Sequence, residues 1–67
     1  MSATVEDLKA AWLVIRTVQE RTASNTPPTT DNVELCEWYV LKLADIGLNA
    51  ASLALEDALN DWCGLLL

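Results

Sequence analysis

Three carboxylates, Glu56, Asp57 and Asp61 in the segment EDALND, form the densest group of chemically active side chains in this sequence. Carboxylates so close together could hold a divalent cation, or divide the work of general acid and general base. A solvated helix face is the better reading, because nothing nearby completes a site. The chain contains no histidine, and no serine or cysteine is visibly paired with a base. Its two cysteines, Cys36 and Cys63, are too few for a disulfide framework and lack the companions of a zinc site. They read as small apolar side chains of the interior. Two glycines cannot supply a phosphate-cradling loop. No catalytic residue, no metal ligand set and no cofactor is expected, and the chain reads as a non-enzyme.

Charge narrows the partners. Ten acidic residues against four basic ones give a net charge of -6. Such a surface repels nucleic-acid backbones and anionic lipids, so direct nucleic-acid binding and membrane binding are not expected. The last apolar segment carries no basic residue at all, which excludes a helix-turn-helix DNA reader. A protein partner remains, and a basic one suits the charge. Trp38 is the side chain best placed to meet it. On a helical wheel it falls between Glu34 and Lys42, away from the apolar face of its own segment, and Leu41 lies close by. Trp38 and Leu41 would be apolar anchors within a rim of Glu34, Glu37 and Asp45. The competing reading packs Trp38 on the last helix or on the Lys42 stem.

These side chains need helices to hold them. Thr4, with Glu6 and Asp7 just behind it, suits a helix start. Val5, Leu8, Ala11, Trp12, Ile15 and Val18 then recur at helical spacing within an arc of roughly 140°, which predicts a core-facing helix over about 4–23. Pro27 and Pro28 close it. Asp31 followed by Glu34 resembles a capping box, with Thr30 and Asn32 as rival caps, and a second helix runs over about 32–46. Its apolar face holds Leu35, Cys36, Tyr39, Val40, Leu43 and Ile46. No alternating pattern or hairpin dipeptide signals a strand.

Gly47 decides the rest. If one helix ran through it, the apolar stripe would rotate by roughly 130° between the residues before and after it. A glycine in the left-handed region would instead end the second helix, with Asn49 capping a third over about 49–63. A hairpin with one long second helix is the alternative, since a mid-helix glycine costs only about 1 kcal/mol. A turn would bring Cys36 and Cys63 to the same end of an antiparallel pair, whereas a rod would hold them roughly 40 Å apart.

The third segment is apolar on more than one side. Leu48, Leu55, Leu59 and Trp62 mark one side, Leu53 another, and Leu65 and Leu66 follow in the tail. A chain of 67 residues with 52% apolar composition buries too little of its surface to be comfortable alone. Leu48, Leu55, Leu59, Trp62, Leu65 and Leu66 are therefore the expected self-association surface, covered by a two-fold copy. The fold class is all-α: a single small helical domain over 1–67 with two or three antiparallel helices, completing a helical bundle as a homodimer. No secretory leader and no membrane-spanning run is visible, and the cytoplasm is the expected compartment. The expected function is protein–protein interaction, as an adaptor or inhibitor of another macromolecule. Phage- and plasmid-encoded proteins that block a host factor are often of this kind. The alternatives are a structural self-assembling subunit and, more weakly, an acidic mimic of nucleic acid that blocks a DNA-binding protein.

Overall fold

The computed structural model describes residues 2–67. Three α-helices follow one another, α1 (Val5–Ala23), α2 (Thr30–Asp45) and α3 (Asn49–Cys63), and a short 3-10 turn over Gly64–Leu66 ends the chain. No strand is present among the described residues. The chain does turn at Gly47, whose φ is +88°.

Local hydrogen bonding explains where each helix starts and stops. Thr4 and Asp7 form a reciprocal capping box: the Asp7 amide donates to Thr4 Oγ1 at 3.1 Å, and the Thr4 amide donates to Asp7 Oδ2 at 2.9 Å. At the other end of α1 the prolines are not the terminator. Asn25 takes φ +56°, the Thr26 amide donates to the Arg21 carbonyl, and the Asn25 amide donates to that of Thr22. This is a Schellman closure with asparagine in the left-handed position. The end of α2 repeats it with glycine: the Leu48 amide donates to the Leu43 carbonyl at 2.9 Å, and the Gly47 amide to that of Ala44 at 3.1 Å.

Two expected caps are corrected. The box at the start of α2 is Thr29 with Asn32, not Asp31 with Glu34, and the helix begins at Thr30 rather than 32. The Asn32 side-chain oxygen accepts from the Thr29 amide at 3.1 Å, a role usually taken by Glu or Gln, so the spacing was hidden by residue type. Asn49 is the first residue of α3 rather than its cap; Leu48 occupies the cap position and makes no side-chain bond there.

The third helix is the centre of the fold. It packs against both α1 and α2, while α1 and α2 hardly meet each other. Ile15, Leu43 and Leu55, one from each helix, are the largest fully buried side chains. Two polar links pin α3 in place. Ser52 Oγ donates to the Val40 carbonyl on α2 at 2.8 Å, and the Trp62 indole N–H donates to the Thr26 carbonyl in the α1–α2 linker. Buried Ser52 and Trp62 thus satisfy their polar atoms without water. Among the described residues no helix is long and apolar enough to cross a membrane.

The core stripe expected on α1 is corrected in its first half. Ala11, Ile15 and Val18 are buried, but Val5 is 67% and Trp12 47% exposed, and Leu8 is exposed as well. The cause is length. Near their C-terminal ends Thr22 and Ala23 lie beside Ala58 and Asp61, so α1 and α3 run parallel. The first has 19 residues and the second 15, so α3 runs out before it reaches the opening turns of α1. Leu35, expected on the core face of α2, is exposed too. It faces the cleft between α1 and α2, where Leu13, Val14 and Cys36 also lie and Trp62 forms the floor.

Candidate interaction surface

The outer face of α2 is built by the same helical register that seals its inner face. Cys36 and Leu43 point into the core, so residues about half a turn away point outward. Trp38 is 57% and Leu41 71% exposed. They line one shallow depression together with Lys42 and Asp45. The Lys42 ammonium lies 5.6 Å from the centre of the Trp38 ring, a cation–π contact that leaves the rest of the indole open. The rings of Trp38 and Tyr39 stack with centroids 6.3 Å apart, which limits the freedom of the tryptophan. Of the two packing alternatives for Trp38, the Lys42 contact is present, and the indole stays accessible beside it.

The carboxylates surround this pair unevenly. Glu34 is exposed one turn before Trp38. Glu37 and Asp45 stand one turn before and after Leu41. Leu41 also borders a second groove, between α2 and α3, which Glu37 enters from α2 and Glu56 from α3. Glu56 was not among the expected site residues, since only the packing of α3 on α2 puts it there. The structure therefore brings Trp38, Leu41, Glu37 and Asp45 together and places Glu34 at the margin.

The EDALND carboxylates diverge. Glu56 faces the α2–α3 groove, Asp61 the α1–α3 groove, and Asp57 is exposed. Among the described residues no three Cys, Asp or Glu side chains converge as a metal site would require. Both cysteines are free thiols. Burial, and secondarily the nearby Cys63, pushes the Cys36 thiol above its ordinary range, so it packs as a neutral, apolar group. The influence of Cys63 on Cys36 fits the turn at Gly47, which returns the end of α3 to the start of α2.

The residues expected to meet a second copy divide. Leu55, Leu59 and Trp62 are buried in the core of their own chain, Leu48 and Leu65 are half-buried against it, and Leu66 is exposed. The three buried residues have no surface left to offer while the fold stands. The side of α3 marked by Leu55, Leu59 and Trp62 is covered by α1 and α2, whereas Leu53, on another side, is exposed.

What the sequence reading missed is the outer flank of α1. Val5, Leu8 and Trp12 line a shallow apolar depression there, edged by Lys9 and Arg16. The signal was available: the expected helices 4–23 and 49–63 already differed in length by more than a turn.

No protein-family model, no curated protein and no solved structure matches this chain.

Proposed function

We propose that this chain is a protein–protein interaction module that engages its partner through the outer face of α2, with Trp38 and Leu41 as anchors and Glu37, Asp45 and Glu34 as the acidic rim. One observation carries the reading. Trp38 and Leu41 lie open side by side on a helix whose opposite face is fully used by the core. Folding does not require a large apolar side chain at either position. An exposed, partly immobilised tryptophan in a ring of charge is what a binding hot spot needs. The acidic rim favours a basic partner and disfavours direct contact with nucleic acid.

In this reading the protein acts as an adaptor or inhibitor in the cytoplasm, where its free thiols stay reduced. Self-association belongs to the same proposal, but through the exposed flanks of α1 and α2 rather than through the leucines of α3.

The test compares wild type, Trp38→Ala and Leu41→Ala as baits in affinity capture from the native host, with Leu53→Ala as an exposed apolar control. A hot-spot tryptophan gives a loss of about 2 kcal/mol or more, roughly thirtyfold in affinity. The reading expects one partner lost with both α2 variants and kept with Leu53→Ala. Circular dichroism checks that each variant keeps its helices. Undiminished capture by a folded Trp38→Ala chain would remove the surface from consideration.

A further inference from the structure

Two apolar patches of opposite rim charge lie on different helices of the same chain. On α1, Val5, Leu8 and Trp12 are flanked by Lys9 and Arg16. On α2, Trp38 and Leu41 are flanked by Glu37 and Asp45. The depression on the α1 flank is lined by α1 residues alone and that around Trp38 by α2 residues alone, and the two helices barely touch. Resting on the reading of the Trp38 face as a docking surface, we infer that its partner is a second copy of this chain, which lays the basic-rimmed flank of its α1 onto the acidic-rimmed face of α2.

Charge selects this pairing over the alternatives. Joining α1 to α1 would set Lys9 and Arg16 of one copy against those of the other. Joining α2 to α2 would confront two sets of carboxylates. Only the crossed arrangement puts unlike charges together. The spacing also agrees. Lys9 and Arg16 are seven residues apart, and Glu37 and Asp45 eight, so the two pairs are separated by about 10 and 12 Å along their helices. Lys42, the one cation on the α2 face, is drawn onto the Trp38 ring. On α1, Glu6 and Asp7 belong to the first turn, and Glu20 lies one turn beyond Arg16. The outward side of α3 also carries carboxylates, but it offers Leu53 as its one exposed large apolar residue.

The total exposed surface is about a tenth above that of a closed monomer of the same mass. The chain exposes 4629 Å², whereas a closed monomer of its mass exposes roughly 4,200 Å². Its longest dimension is 37 Å against 17 Å for the other two. A contact between unlike patches is head-to-tail, so each joined pair leaves one α1 flank and one α2 face unused. The unused pair can close reciprocally on the same two copies as a two-fold dimer, or take further copies into a larger ring or an open chain as concentration rises.

Two charge-reversed variants test this by sedimentation from micromolar to millimolar protein. Lys9→Glu with Arg16→Glu disables the α1 flank, and Glu37→Lys with Asp45→Lys disables the α2 face. All four positions are exposed, and circular dichroism verifies the fold. Wild type is expected to form concentration-dependent oligomers, and each variant alone to weaken association by about tenfold or more. An equimolar mixture of the two should associate again, because one supplies an intact acidic face and the other an intact basic flank, and their reversed patches are likewise of opposite charge. A chain bearing all four changes should associate again through the inverted charges.

The net charges separate this from general repulsion. Starting from -6, the α1 variant carries four more negative units and the α2 variant four fewer. If self-repulsion governed, the α2 variant would associate more strongly than wild type. A monomeric wild type at millimolar concentration overturns the inference, as does unchanged association of either variant, or a mixture that stays monomeric. None of these results touches the capture experiment with Trp38→Ala, so a docking face used for a foreign partner would still be recognised as such.

Discussion

Gly47 and Gly64 have opposite expected responses to the same substitution. A Cβ added at either position meets nothing within 4 Å, so packing plays no part and the backbone alone sets the sign. Gly47 has φ +88°, a region where an L-residue costs roughly 1–2 kcal/mol. Replacing glycine also removes freedom from the unfolded chain, which returns about 0.4–1 kcal/mol. Gly47→Ala should therefore lose about 1 kcal/mol net. Gly64, at φ -58° and ψ -23°, is already in the right-handed helical region. Gly64→Ala has no strain to oppose its entropic benefit and should gain about 0.4–1 kcal/mol. In a domain this small, 1 kcal/mol moves the melting temperature by about 4–8 °C.

Thermal and urea unfolding followed by helical circular dichroism would read both variants. A chemically assembled chain with D-alanine at position 47 provides the mirror control, since D-residues favour positive φ; it should be at least as stable as wild type. A chain running through Gly47 as one helix would behave in the opposite way, gaining about 1 kcal/mol from alanine. Gly47→Ala as stable as wild type, or more stable, would refute the turn and with it the placement of α3 at the centre of the fold.

Three further outcomes follow from the core. Leu55→Ala, at a fully buried position, should cost about 2–5 kcal/mol, comparable to the whole stability of so small a domain, whereas exposed Leu53→Ala should stay within about 0.5 kcal/mol; equal urea midpoints would contradict the assignment of faces on α3. Ser52→Ala removes the bond to the Val40 carbonyl and should lower stability by about 1 kcal/mol, seen as a reduced midpoint with an unchanged denaturant slope. The Cys36 thiol is held above its ordinary range by burial and then by Cys63. Its contribution is fully present at pH values below the ordinary thiol pKa, where folded and unfolded chains both keep the proton. Above it the unfolded chain ionises first, so stability falls as the pH rises toward the folded-state pKa. Urea midpoints measured from neutral to alkaline pH should decline more steeply for wild type than for Cys36→Ala, and parallel profiles would contradict this.

The helical class, the turn at Gly47 and the outward direction of Trp38 and Leu41 were legible because each depends on local rules. Periodicity places side chains around a helix, and glycine is the residue that tolerates positive φ at low cost. Asn25 and the Thr29–Asn32 box were missed for a related reason. Both use asparagine where glycine or glutamate is the commoner signal, so their geometry emerges only once the backbone is seen. Trp12 and Leu35 failed differently. A wheel gives the direction of a side chain but not the reach of the helix opposite. Trp12 points toward the flank of a helix longer than its neighbour, and Leu35 toward a helix that does not close against it.

The most consequential shift concerns where the surplus apolar surface lies. Its concentration in α3 looked like a demand for a second molecule, yet a central helix must be greasy on two sides because it serves two neighbours. Apart from Leu53 and the tail leucines, that leaves the exposed large apolar residues on α1 and α2, and there they coincide with a division of charge. Three acidic and three basic residues balance on α1, whereas α2 and α3 each carry three net negative charges. Val5, Leu8, Trp12, Trp38 and Leu41 are outside the core, so polar residues at these positions would leave folding largely unaffected. Large apolar side chains add a solubility cost there with no return in stability. Substitutions at these five positions can therefore test the proposed contacts with little disturbance of the fold.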